Sequence, residues 1–284
     1  MRLGMNPLRL QQITEPSKVA AVITHLPNQE GYHAQRFDVI KTCLLSMRLG
    51  APGIPVTVWD NGSCHEMIYW LQNEYKPDTL ILSPNVGKSN ARSALYHMVN
   101  PETIMSLCDD DMLFYPSWWD ACEKLLKHFP NVGKVSCYPV RTQARWGSTL
   151  TREWAKKNGK VRTGKIISED EDFDFCTSIG RDYNFQKEFT ENEFDTVVKY
   201  NGVEAYCFAH HCQFMAYAGV IAPYCKRSDA CMADEKPFDS SVDYAGLLQF
   251  TTLQRYARHI GNIVDPKVSK EFEGMKEGKS WQTE

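Results

Sequence analysis

Short apolar runs alternate with stretches of helical spacing through the first half of this chain, and that alternation restricts its fold more than any other feature. Val19 to Thr24, Val56 to Trp59, Thr79 to Leu82, Thr103 to Cys108 and Lys134 to Tyr138 have the length and content of buried strands. Between them, Arg36 to Leu49, Cys64 to Tyr75, Asn90 to Val99 and Trp118 to Phe129 carry apolar residues near helical spacing. Strands that alternate with helices in this way need crossover connections. The expectation is an α/β protein with a mostly parallel central sheet and helices on both faces.

The strand at Thr103 to Cys108 ends in three consecutive carboxylates, Asp109, Asp110 and Asp111. In an open α/β sheet the carboxyl ends of the strands border the ligand crevice. Three adjacent negative charges repel one another unless a cation shares them. Mg²⁺ or Mn²⁺ takes oxygen ligands of this kind and keeps substrate phosphates as co-ligands. Three other motifs close the preceding strands: Thr24-His25-Leu26-Pro27-Asn28, Asp60-Asn61-Gly62-Ser63, and Asn85-Val86-Gly87-Lys88-Ser89-Asn90-Ala91-Arg92. If the sheet is parallel there, all four loops share one edge.

The chain has 284 residues, 32 Lys and Arg against 35 Asp and Glu, and so a formal charge of −3. That excludes a broadly basic nucleic-acid coat. A local basic surface remains open, because Arg141, Arg145, Arg152, Lys156, Lys157, Lys160, Arg162 and Lys165 crowd one stretch. No apolar run reaches the roughly 18 residues of a membrane span. The first 17 residues show no signal-peptide pattern. Ten cysteines include no C-x-x-C pair, and several sit in apolar runs, so free thiols in a reducing cytoplasm are expected. Cys207, His210, His211 and Cys212 match none of the usual structural zinc spacings. The acidic run from Glu169 to Asp174 reads as a solvated loop, and the polar residues 266–284 as a peripheral tail.

The order and spacing of the four motifs resemble glycosyltransferases of the GT-A (nucleotide-diphospho-sugar transferase) fold, close to glycosyltransferase family 2. That group carries a D-x-G-S turn, an N-x-G-x-x-x-A-R segment and a D-x-D motif on the following strand. The resemblance covers Val19 to Pro139 well and Ala205 to Asn262 weakly. It implies an N-terminal extension (1–17), a nucleotide-sugar-binding half (18–140), a variable insertion (141–204), an acceptor and catalytic half (205–265) and a C-terminal tail (266–284).

By position, the resemblance places His25, Asp60, Arg92, Asp109 and Asp110 on the donor, with Asp111 and His259 on a Mn²⁺ or Mg²⁺ ion. An inverting transferase also needs a base for the acceptor hydroxyl. Within the acidic group Asp234, Glu235, Asp239 and Asp243, the resemblance favours Asp243, read as opening a helix, with Asp239 in reserve. The implied activity is metal-dependent sugar transfer, hexosyl or pentosyl, from a nucleoside diphosphate sugar, UDP-linked first, to a hydroxyl. The acceptor stays open between polysaccharide, lipid-linked sugar, protein and modified nucleic acid. Two alternatives are a nucleotidyltransferase acting on a sugar phosphate and a non-catalytic nucleotide-sugar-binding module. The first normally carries a Gly-rich basic loop after the opening strand. Here that loop, His25 to Gly31, has one Gly and no Lys.

Overall fold

The computed structural model describes residues 17–229 and 235–278. The stretch 1–16, the residues 230–234 with the acidic candidate Asp234, and 279–284 lie outside the described residues. The first half follows the alternation in the sequence: β1 (Lys18–Thr24), α1 (Arg36–Gly50), β2 (Val56–Asn61), α2 (His65–Trp70), β3 (Thr79–Ser83), α3 (Lys88–His97), β4 (Ile104–Asp109), β5 (Met112–Phe114), α4 (Trp118–His128) and β6 (Val132–Ser136). The remainder comprises α5 (Thr149–Asn158), β7 (Lys160–Gly164), α6 (Glu169–Ser178), α7 (Tyr183–Thr190), β8 (Asp195–Tyr200), β9 (Val203–Tyr206), β10 (Gln213–Tyr217), α8 (Ala218–Ile221), α9 (Glu235–Tyr244), β11 (Leu248–Thr252), β12 (Ala257–His259) and α10 (Pro266–Lys276).

Ten strands form one sheet in the order β3-β2-β1-β4-β10-β6-β11-β9-β8-β7. The four strands from β3 to β4 are parallel, as are β6 and β11. β10 runs antiparallel between β4 and β6, and β9, β8 and β7 extend the sheet antiparallel. Alternate residues of a strand face opposite sides, and the buried strands use both. On β4, Ile104 and Cys108 join the core under α1, α2 and α4, while Met105 and Leu107 join the core under α3, α8 and α9. A run apolar on both faces must be covered on both, so helices flank the sheet on each side.

Three segments differ from the sequence reading. Glu169 to Asp174 is not a solvated loop but the first turns of α6. Ser168 accepts the Glu171 N–H while Glu171 reaches back to the Ser168 N–H, a capping box that fixes the helix start. Acidic residues there meet the positive end of the helix dipole. Asp172 and Asp174 are buried, held by Arg141 and by Arg255 and Lys267 respectively. Next, α10 lies within the stretch read as a peripheral tail, yet it buries Val268, Phe272 and Met275 against Val39, Leu113 and Tyr115. Lastly, Asp243 does not open a helix. It sits near the end of α9, and Leu248 to Thr252 beyond it is a strand. Gly246, with φ +77°, makes the turn between them.

Candidate active site

The parallel register brings all four strand-end motifs to one edge, where side chains lock the loops together. Asp60 accepts from Thr24 Oγ1 (3.3 Å) and from the Ser63 N–H (3.0 Å). Ser63 Oγ in turn accepts the Leu26 N–H (3.0 Å), which joins the first loop to the second. Asn61 donates to Asn85 Oδ1 (3.0 Å) and accepts the Val86 N–H (2.9 Å), which joins the second to the third. Gly62 has φ +85°, and a Cβ there would lie 2.8 Å from the Asn85 nitrogen, so close approach of these loops requires glycine. The His25 N–H donates to Asp110 Oδ2 (3.0 Å), joining the first loop to the fourth.

These loops enclose a cleft of about 420 Å³ that includes His25, Asn61, Asn85, Lys88 and all three aspartates in its lining. The carboxylates do not stand uncompensated. Lys88 Nζ lies 2.6 Å from Asp109. Arg36, on the first turn of α1, binds Asp110 with one nitrogen and Asp111 with another (3.0 Å). Cations of the chain itself, Lys88 and Arg36, share these charges. Burial raises the Asp110 pKa, only partly offset by Arg36, with Asp111 and Asp109 adding to the rise. Burial also opposes ionisation of Asp111, but His259 and Arg36 outweigh it and hold this carboxyl well below the usual range.

His259 arrives from the far end of the chain. β12 pairs with β5 in the register His259↔Met112, one residue beyond Asp111, and the Ile260 N–H donates to the Asp111 carbonyl (2.7 Å). His259 Nε2 then faces Asp111 Oδ1 at 3.4 Å, long for a hydrogen bond. That oxygen is buried and has no hydrogen-bond partner. A carboxylate oxygen and an imidazole nitrogen facing each other across such a gap are a donor set suited to Mn²⁺, and the residues present fit a divalent ion. Asp110 has both oxygens engaged, by Arg36 and the His25 N–H, so it ties loops together.

Other anticipated site residues fall elsewhere. Asp60 is buried inside the turn it caps, with no face to the cleft. Arg92 is also buried, paired with Glu235 and stacked on Phe238 (4.3 Å to the ring centre). Asp243 is not brought to the acidic edge, since its carboxylate accepts the Leu150 N–H (3.2 Å) at the start of α5. Burial raises its pKa, opposed by the backbone N–H groups of Leu150 and Thr149. Asp239 is sealed in, with a side chain 1 % exposed, and is held by Lys134, Gln143 and His211.

Two residues to which the sequence assigned no role complete the site. Glu235, in the first turn of α9, lies 3.0 Å from Lys88 and pairs with Arg92. Burial opposes its ionisation, but the two cations hold its carboxyl far below the usual range. Arg36 had no motif around it. Its position opening a helix after the first strand-end loop was the only available signal.

Ligating atoms of His210, His211 and Cys212 lie within 4.8 Å of one another, the one such cluster of His, Cys, Asp or Glu among the described residues. Both Nδ1 atoms there have partners, the Cys212 N–H and Asp239, and burial drives the Cys212 thiol pKa well up, which disfavours the thiolate a metal needs. Of the basic stretch 141–165, Arg141 is buried among Asp172 and Asp195, and Arg145 pairs with Glu193. The nine described cysteines are free. Among the described residues no helix is long and apolar enough to cross a membrane.

No protein-family model and no curated protein matches this chain. Among solved structures, it is similar to the mannosyltransferase PcManGT from Pyrobaculum calidifontis, determined in complex with GDP-Man and Mn²⁺. The two are 22 % identical, with a TM-score of 0.35, over 45 % of this chain and 37 % of that one. The match thus spans little more than a third of that protein's length, and at this score it bears on neither activity nor substrate.

Proposed function

We propose that this protein is a metal-dependent glycosyltransferase that moves a sugar from a nucleoside diphosphate sugar, UDP-linked in the first instance, to an acceptor hydroxyl with inversion. The observation that carries the reading is the convergence of four strand-end loops on one cleft in which Asp111 Oδ1 and His259 Nε2 face each other. In this reading Asp111 and His259 would hold Mn²⁺ or, less well matched to the imidazole, Mg²⁺. When bound, the ion would offset the charge that builds on the departing diphosphate. Lys88 and Arg36 line the same cleft and supply fixed positive charge beside the phosphates. In this reading His25 and Asn61, which line the cleft, would border the nucleoside, and Asp109 would contact the donor's ribose or sugar.

The test is nucleotide binding that depends on metal. With UDP or GDP at about 100 times Kd, binding to the folded state alone stabilises it by about 2.7 kcal/mol. That is a rise in Tm of roughly 5–10 °C for a chain of this size. The rise is expected with Mn²⁺ and UDP together, and to vanish in Asp111→Asn. That variant should remain folded because Arg36 keeps Asp110. No response of the wild type to any nucleoside diphosphate with Mn²⁺ would refute the reading.

A further inference from the structure

The acidic base candidates among the described residues are poorly placed to take the acceptor's proton. Asp243 is spent on the start of α5 and Asp239 is sealed from any substrate. Glu235 is near the cleft, but Lys88 and Arg92 stabilise its anion so strongly that it is a weak base. Resting on the transferase reading above, we propose that His211 is the catalytic base for the acceptor hydroxyl, and that buried Asp239 is the residue that positions it.

Three observations support this. His211 Nδ1 lies 2.9 Å from Asp239 Oδ2, and the His211 side chain is 23 % exposed where that of Asp239 is 1 %. The imidazole is thus the part of this pair that solvent reaches. Asp239 is also a carboxylate. Burial alone would raise its pKa, but Lys134 and His211 hold it down, and Gln143 donates to it (2.7 Å). An ionised carboxylate has no proton to give, so Nδ1 carries the hydrogen of this contact, which leaves Nε2 as the ring nitrogen for the acceptor's proton. The third is location. β10 pairs with β4 in the register Gln213↔Cys108, and the Asp109 N–H donates to the Cys212 carbonyl (2.8 Å). His211 is therefore one residue from the partner of the first aspartate, on the flank that Lys88 and Glu235 close.

Asp239 and Glu235 of α9 carry negative charge beside His211, and Lys134 of β6 pairs with the same Asp239. His210 lies beside it, with ring centres 4.5 Å apart, and burial holds its pKa well below the usual value. In the step proposed, the acceptor hydroxyl proton passes to Nε2 as its oxygen bonds to the anomeric carbon. The bond from that carbon to the phosphate oxygen breaks, its electron pair leaves with the nucleoside diphosphate, and the imidazolium then gives its proton to water.

Water can stand in for the acceptor. Wild type and His211→Ala would be incubated with Mn²⁺ and UDP-glucose, UDP-galactose, UDP-N-acetylglucosamine or GDP-mannose, measuring nucleoside diphosphate release, with UDP binding measured in parallel. His211→Ala should lower release by about 10²-fold or more while binding UDP as the wild type does. Added imidazole should restore part of the rate in His211→Ala and none in Asp239→Asn, whose ring still fills the position. A wild-type rate in His211→Ala, or a loss with no response to imidazole, overturns the assignment. A wild type that neither binds nor hydrolyses any of these donors refutes the transferase reading itself and this inference with it.

Discussion

The Lys134–Asp239 pair under the proposed base sets up a sharp test of buried charge. Both side chains are essentially without solvent, at 0 % and 1 % exposure. The lysine ammonium lies between the rings of Phe214 and Phe238, at 5.5 and 4.9 Å from their centres. At an effective dielectric near 20, two unit charges in hydrogen-bond contact attract by about 6 kcal/mol, most of which offsets their desolvation. Lys134→Met removes the attraction but leaves the desolvated carboxylate, and breaking such a pair from one side costs about 3–5 kcal/mol. Asp239 keeps Gln143 and His211, which places the expected loss near the lower end, about 3 kcal/mol. Thermal unfolding should show this as a fall in Tm of roughly 6–12 °C, and urea unfolding as a lower midpoint with an unchanged slope. Combining Lys134→Met with Asp239→Leu replaces both charges by apolar groups and should recover most of the loss. A single variant within about 1 kcal/mol of wild type, with a double variant no better, would show that the pair is not electrostatically coupled.

Two further substitutions probe other parts of the molecule. Gly261 has φ +83°, and a Cβ there would lie 2.2 Å from the Ser178 carbonyl oxygen, so Gly261→Ala is expected to cost at least about 2 kcal/mol. Because the adjoining Ile260 N–H anchors Asp111, the same change should weaken Mn²⁺-dependent UDP binding, and unchanged calorimetric affinity would count against that coupling. Away from the cleft, burial pushes the Asp172 carboxyl up to about 6, with Arg141 opposing and Asp195 adding to the rise. A raised carboxyl pKa contributes stability that is fully present below the unfolded value and is lost as pH rises through the folded one. Asp172→Asn should therefore gain relative to wild type by roughly 2 kcal/mol between pH 4 and pH 7. A difference in denaturation midpoint that is flat across this range would refute the shift.

Much of the site was legible because its parts are local. The β4 run and its aspartates, the glycine turn at Gly62 and the segment from Asn85 to Arg92 each follow from neighbours in sequence, and the strand–helix alternation sends them to one edge. The start of α6 was equally readable, since Ser168 and Glu171 have capping-box spacing. The density of charge around it has the look of a solvated run. The Asp243 assignment went astray because Val242, Leu247 and Leu248 read as one apolar helix. The chain turns at Gly246, and the last two lead into a strand.

The residues alone determined the layered α/β fold, the cleft edge and the presence of three carboxylates upon it, because apolar periodicity and turn chemistry act over a few positions. Only the tertiary structure decided which cation faces which carboxylate, that Asp110 and Asp60 brace loops, and that of the His211–Asp239 pair the histidine is the one open to solvent. Arg36 meets Asp110 across 74 positions, Arg92 meets Glu235 across 143, and His211 meets Asp239 across 28. Such pairings depend on how β10 inserts antiparallel beside β4 and how α9 packs over it, and no short-range pattern encodes a distance between side chains so far apart along the chain.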